Sequence, residues 1–167
     1  MRNMLAIADK ELRGYFASPI AYVVMGFFAL LFGFFFYAYL DAFMRQSMQM
    51  AGFGGGSMNV NMNLVRPLFG NASVVLLFVI PMITMRTYSE EKRSGTIELL
   101  LTSPLTDAQI ILGKFLGALG LYLAMLAVTL LYIAILFWFG NPDWRPIASG
   151  YLGLLLMGGR FIAVGLL

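Results

Sequence analysis

The chain has 167 residues, of which 60% are hydrophobic and only 11% are charged. Soluble domains are about 45–50% apolar and about 25% charged, so this composition excludes an ordinary soluble domain and predicts a membrane protein. The net charge of +3 is small for a nucleic-acid-binding protein, and the absence of Cys and His excludes disulfides, imidazole metal sites and nucleophile–histidine pairs.

The N-terminal segment predicts an interfacial helix over residues 3–17, lying on the membrane surface. Its apolar residues recur at helical spacing on one face, and they are Leu5, Ala8, Leu12, Tyr15 and Phe16. Ser18 and Pro19 suit the N-cap and the first position of a new helix. We therefore expect the chain to bend there into the first span. The alternative is a frayed tail.

Four segments are apolar over the roughly 20 residues that a spanning helix needs. Three of them contain no charged residue, and they cover 20–40, 67–85 and 115–139. The fourth, 147–167, contains Arg160 and stops inside an apolar run, so we expect an incomplete span. The sequence thus predicts an all-α polytopic membrane protein of one domain, 1–167, with an N-terminal interfacial helix and about four spans.

Positive charge predicts the orientation of these spans, because cytoplasmic segments are enriched in Lys and Arg. Three such residues lie in the N-terminal arm and four in the segment 86–114, whereas the opposite side carries Arg45, Arg66 and Arg145. We expect the N-terminus and the 86–114 segment in the cytoplasm, the 41–66 loop outside, and the protein in the plasma (inner) membrane.

The cytoplasmic segment carries its own helix signals. Thr87 has capping-box spacing to Glu90, which predicts that the second span continues into the cytoplasm, and Thr106 has the same spacing to Gln109 at the start of the third span. Between them, residues 96–101 predict a short helix that ends before a proline.

That short helix contains three consecutive leucines, Leu99, Leu100 and Leu101, beside Glu98. On a cytoplasmic segment their side chains need a partner's groove or the membrane surface.

The stretch "EEKRSGTIELLLTSPLTDAQIILGKF" resembles the cytoplasmic loop of ABC transporter type-2 permeases, and within them the gliding-motility-type export permeases. The resemblance extends over essentially the whole chain. It implies that the loop is a coupling helix that docks on a separate ATPase subunit. The implied contact residues are Glu91, Arg93, Gly95, Thr96, Glu98, Leu99, Leu100, Thr102 and Pro104.

The resemblance also implies an exporter that forms a homodimer or a heterodimer with another permease. ATP and Mg²⁺ would be bound by the partner subunit, and no cofactor is expected in this chain. Family members usually have six spans in well over 200 residues, so the chain is expected to be truncated.

No residue pattern predicts an enzyme. The Gly113-Lys114 pair lacks the second glycine and the Ser or Thr of a phosphate-binding loop, since Ala108 and Phe115 stand there. Adjacent Glu90 and Glu91 point about 100° apart on a helix and make a poor acid–base pair.

Two further alternatives stay open. The chain is a non-transporting scaffold or remnant that still docks the ATPase, or it handles Cu(I) through thioethers of the outer loop. The loop methionines are Met44, Met48, Met50, Met58 and Met62.

Two features of the spans predict packing and depth. Gly113 and Gly117 form a small-xxx-small pair that lets helices approach closely, and we expect it to pack helices within one subunit rather than between two. Arg160 departs from the family pattern. It faces a conduit or an anionic partner, extends to the inner surface, or marks the inner end of its span.

Overall fold

The structure, a computed structural model, describes residues 2–52, 56, 58–94 and 106–166. These residues form five α-helices: α1 (Arg2–Ala17), α2 (Pro19–Gly52), α3 (Arg66–Ser94), α4 (Asp107–Phe139) and α5 (Trp144–Leu166). A π-helical turn, Asn61–Val65, leads directly into α3. The all-helical class is confirmed, and α2 to α5 are each long and apolar enough to span a membrane.

The four long helices form an up–down bundle. Tyr132 of α4 donates a hydrogen bond to the carbonyl of Ala29 on α2 (3.1 Å), and farther along both helices Phe36 and Leu136 are buried in the same core, so α2 and α4 run in the same direction. α3 and α5 also run parallel to each other, because Gly150 lies against Phe69 and, farther along both helices, Gly165 lies against Thr84. Their direction is opposite to that of α2 and α4.

Tyrosine hydroxyls connect neighbouring spans inside this bundle. Asn71 on α3 donates to the Tyr39 hydroxyl on α2 at 2.7 Å, and Tyr122 on α4 donates to the carbonyl of Leu154 on α5 at 2.6 Å. Thr129 and Tyr151 are also within hydrogen-bond distance, at 2.9 Å. Aromatic and aliphatic side chains fill the space between these bonds. Because a bilayer offers no water to unpaired hydroxyls, such bonds help to select one arrangement of the spans.

The helix predicted over 3–17 is α1, and it packs lengthwise along the first half of α4. A Cβ atom built on Gly113 would lie 2.6 Å from Ile7 Cγ2, and one built on Gly120 would lie 2.9 Å from Leu12 Cδ2. The contacts advance in step, so α1 and α4 run in the same direction. The end of the bundle where α1 lies is called the α1 end. The location of α1 at the membrane surface stays a prediction.

The outer segment differs from the loop predicted over 41–66. α2 continues to Gly52, and helical structure resumes at Val60 before the π-turn. An ion pair between Arg45 and Asp41, one turn apart at 2.9 Å, supports the extension. The sequence-based boundary at residue 40 followed the end of the apolar run, but a helix continues past the bilayer where its residues allow it.

The structure places Arg160 near the α1 end. Gly158 lies against Tyr122, and Arg160 follows about 3 Å further along α5. This is the level of Gly120, which lies against the charged helix α1. From Gly120 to Phe139, α4 covers about 28 Å, close to the thickness of a hydrocarbon core. Arg160 is exposed, and with α1 at the membrane surface as predicted we expect it near the boundary of the core rather than at its centre.

A position of Arg160 near the boundary of the hydrocarbon core predicts that Arg160→Leu changes membrane insertion of α5 only slightly. We expect the apparent insertion free energy of α5 to change by less than about 1 kcal/mol, because a side chain near the boundary reaches the headgroups. Leu152→Arg, on the same exposed face nearer the centre of the helix, is expected to cost about 2.5–3.5 kcal/mol. A membrane-insertion assay compares the two variants. A gain from Arg160→Leu as large as the loss from Leu152→Arg would place Arg160 in the hydrocarbon core.

Candidate functional site

Most of the predicted partner-binding residues lie outside the described residues. These are Gly95, Thr96, Glu98, Leu99, Leu100, Thr102 and Pro104. Glu91 and Arg93 lie in the last turns of α3, where the structure describes the backbone. The described structure therefore defines the two helices that flank residues 95–106. We call these residues, which are part of the 86–114 segment, the predicted coupling segment.

Both helices extend beyond the predicted spans. α3 continues from Met85 to Ser94 without a break, and α4 begins at Asp107, before the span predicted from Phe115. The predicted coupling segment is thus joined at each side to a helix that continues into the bundle. At 1.5 Å per residue, α4 is about 50 Å long. A displacement at its first turn would act on a continuous helix.

The start of α4 differs in one detail from the predicted capping box. Thr106 is the N-cap in extended conformation (φ −79°, ψ 145°), and its carbonyl accepts hydrogen bonds from the amides of Gln109 at 2.9 Å and Ile110 at 3.2 Å. Its side chain makes no capping hydrogen bond. The predicted position of the helix start was right, but the predicted side-chain cap was wrong, since the backbone alone closes the first turn.

Three glycines of α4 form the surface that receives α1. A Cβ atom on Gly117 would lie 2.6 Å from the Cβ of Glu11, which is closer than real Cβ contacts. A Cβ atom on Gly113 would be equally close to Ile7, and one on Gly120 would lie 2.9 Å from Leu12. The partner of this glycine surface is α1 of the same chain, which the spacing of Gly113 and Gly117 did not identify. We call it the α1–α4 seam.

Among the described residues, the charged side chains at this end are mostly exposed. Arg13 pairs with Asp9 one turn away at 2.9 Å, and both side chains are largely exposed. Such surface pairs contribute little to stability. Lys114, next to Gly113 in the seam, is a buried exception. The seam thus combines close helix packing with a buried lysine, seven residues after the first residue of α4.

The described residues include no group of three or more acidic, His or Cys side chains that is arranged to hold a metal ion. The thioether alternative rests on methionines at the opposite end of the bundle. Met44 and Met48 lie one turn apart on the extension of α2, and both are exposed, as is Met62 on the π-turn.

Sequence reasoning missed Tyr122 and Gly158, which form the tightest contact between spans. A Cβ on Gly158 would lie 2.3 Å from Tyr122 Cε1, and the ring is fully buried. The signal in the sequence is one glycine and one tyrosine in two apolar runs. Their pairing is visible only after the spans are assembled.

A comparison with protein-family models matches residues 5–165 to the model described as ABC-2 family transporter protein. The match covers nearly the whole chain, including α1, all four spans and the predicted coupling segment. Searches of the curated proteins and of the solved structures gave no match.

Proposed function

Because the chain belongs to the ABC-2 family of transporter membrane proteins, we propose that it is the membrane-spanning subunit that couples ATP hydrolysis in a separate ATPase subunit to export of a substrate. The family implies such an ATPase partner. Export, docking through residues 91–104, pairing with a second permease chain and the gliding-motility-type subgroup are parts of this proposal. We place the protein in the plasma membrane with the α1 end in the cytoplasm, following the distribution of positive charge.

The observation that supports coupling most directly is the pair of helices around the predicted coupling segment. α3 reaches Ser94 and α4 starts at Asp107, so only a short segment separates two helices that both continue through the bundle. A segment anchored in this way transmits displacement better than one attached to long loops. The α1–α4 seam adds a third helix to the same end.

The chain itself lacks the residues for nucleotide hydrolysis. Its Gly-Lys pair at 113–114 lies within α4, where Gly113 packs on Ile7 and Lys114 is buried, and it is not the phosphate-binding loop that joins a strand to a helix. ATP and Mg²⁺ therefore belong to the proposed partner subunit.

Co-purification with an ABC ATPase subunit that is co-expressed with this chain tests the docking step. We expect Glu98→Arg combined with Leu100→Asp to reduce the recovered ATPase at least tenfold, because a buried interface anchor contributes roughly 2 kcal/mol or more and an aspartate there is left unpaired. The variant's spans are untouched, so its thermal transition in detergent is expected to match that of the wild type.

A matched control carries the same kinds of change at the opposite end. Arg45→Glu combined with Met48→Asp also reverses one charge and replaces one apolar residue, both on the exposed extension of α2. We expect this variant to retain the ATPase fully. Equal loss in both variants, or full retention in both, would contradict docking through residues 91–104.

ATP-driven flux separates the transporter from the alternative of a scaffold or remnant that docks the ATPase without transport. Vesicles containing both subunits are expected to show nucleotide-dependent movement of substrate, and the Glu98→Arg, Leu100→Asp variant is expected to abolish it. Retained docking without any flux in the wild type would favour the scaffold.

A further inference from the structure

A cavity of about 490 Å³ with both apolar and polar lining residues lies at the end of the bundle opposite to α1. The π-turn and the first turns of α3 form one side, and the start of α5 forms the other. Its lining combines Asn61, Arg66, Asp143 and Ser149 with the apolar surface of Phe69 and Pro146. Its volume is within the range of small-molecule sites. No role in docking an ATPase involves this end, so the cavity stands apart from the proposed function.

One polar atom of this lining lacks a partner. Asn61 Oδ1 is buried and accepts no hydrogen bond from any described residue. The polar groups around it have partners. The backbone N–H of Asn61 donates to Asn59 Oδ1 at 3.0 Å, and Asn63 Nδ2 donates to the Asn59 carbonyl at 3.0 Å. A buried acceptor without a donor is costly, and π-helical turns are rare and frequent at functional sites. The oxygen lies beneath the cavity surface, so its donor is an enclosed group such as a buried water rather than a ligand in the cavity.

Two opposite charges line the same cavity without pairing. Among the described residues, Arg66 and Asp143 form no salt bridge within 4.0 Å, whereas Arg45 pairs with Asp41 and Arg13 with Asp9. Two unlike charges held apart around one cavity complement a ligand that carries both signs. A cationic donor suits Asp143, and an anion suits the Arg66 guanidinium.

We propose that this cavity binds an amine-bearing zwitterion of the phosphoethanolamine type, either as the headgroup of phosphatidylethanolamine or as the free molecule. The phosphate binds Arg66, and the primary ammonium donates to Asp143. Phe69 and Pro146 contact the apolar part of the ligand. Trp144, exposed beside Asp143, marks this level as the headgroup region, where tryptophan side chains are enriched.

Isothermal titration of the detergent-purified full chain tests this assignment. The three probes are short-chain phosphatidylethanolamine, short-chain phosphatidylcholine and free phosphoethanolamine. Choline has no N–H donor, so we expect phosphatidylethanolamine to bind roughly tenfold more tightly than phosphatidylcholine, as for the loss of one charge-assisted hydrogen bond. Asp143→Asn and Arg66→Gln are each expected to weaken its binding by a similar factor.

Arg145→Gln provides the matched control. Arg145 adjoins Trp144, with its guanidinium carbon 6.0 Å from the centroid of that ring, and it does not line the cavity. This variant is expected to bind as the wild type does. Free phosphoethanolamine binding as tightly as the lipid would support the site with the soluble molecule as its ligand. Equal affinity for the ethanolamine and choline lipids, or equal losses in Arg145→Gln and Asp143→Asn, would overturn the proposal.

Discussion

Gly158→Ala is expected to destabilise the bundle by about 1–3 kcal/mol, although alanine is the better helix former. The new Cβ would lie 2.3 Å from Tyr122 Cε1 and 2.4 Å from Cζ. The ring has no room to withdraw, because it is fully buried and its hydroxyl bonds the Leu154 carbonyl at 2.6 Å. The free energy of unfolding in mixed micelles measures this loss, and Gly158→Leu is expected to prevent assembly of α4 with α5.

Gly153→Ala is the control, since Gly153 lies on the same helix and a Cβ there meets nothing within 4 Å. It is expected to be neutral or slightly stabilising. Combining Gly158→Ala with Tyr122→Leu is expected to restore part of the loss, since the smaller side chain makes room for the methyl group. Equal stability of the two single alanine variants would show that the Tyr122–Gly158 contact does not hold the spans together.

Gly117→Leu is expected to separate α1 from α4, with the second large effect. The Cβ position is 2.6 Å from the Cβ of Glu11, an atom bonded directly to the backbone of α1 that no rotamer change can move away, whereas the Ala8 carbonyl is in ordinary contact at 3.5 Å. A short helix without its packing partner is marginal in water. We expect amide hydrogen exchange in α1 to become at least tenfold faster, with the spanning part of α4 unchanged.

The pairing of Gly113 with Ile7 gives a compensating variant for the same seam. Gly113→Ala is expected to speed exchange in α1, and the addition of Ile7→Ala is expected to reverse part of the effect by removing the atoms in contact. Gly14→Ala, at a position of α1 with nothing within 4 Å, serves as the control. Exchange in α1 that is unaffected by Gly117→Leu would contradict the seam.

The seam also bears on the proposed coupling. If α1 supports the first turns of α4, then Gly117→Leu is expected to lower ATPase recovery even though the residues of the predicted coupling segment are intact. Loss of α1 protection together with full ATPase recovery would leave docking in place and assign α1 a structural role alone.

Composition and apolar runs were sufficient to predict the class of protein and the number of spans. Apolar runs of spanning length are excluded from soluble domains, and α4 ends at Phe139 as predicted, where Gly140, Asn141 and Pro142 follow. The start of α2 at Pro19 was likewise predicted, because proline is favoured in the first turn of a helix. The resemblance to type-2 permeases predicted the ABC-2 family, and the match over residues 5–165 confirms it.

The faces on which the spans meet follow from the assembled bundle and not from the residue pattern. On α4, Leu121 and Leu126 are buried whereas Leu123 and Leu130 are exposed, although all four are the same residue type. On a helix in water such a difference would appear as apolar residues at every third or fourth position, with polar residues on the opposite face. In a bilayer the exposed face is as apolar as the core, so the pattern carries no record of the partner.

The same reason explains the glycine contacts. Spacing showed that Gly113 and Gly117 admit a close neighbour, but their neighbour α1 is separated from them by about a hundred residues of chain. Gly158 of α5 likewise contacts Tyr122 of a different span, α4. Close packing depends on shape rather than polarity. The composition of the chain therefore establishes that it spans a membrane, and the assembled helices alone determine which small residue receives which large one.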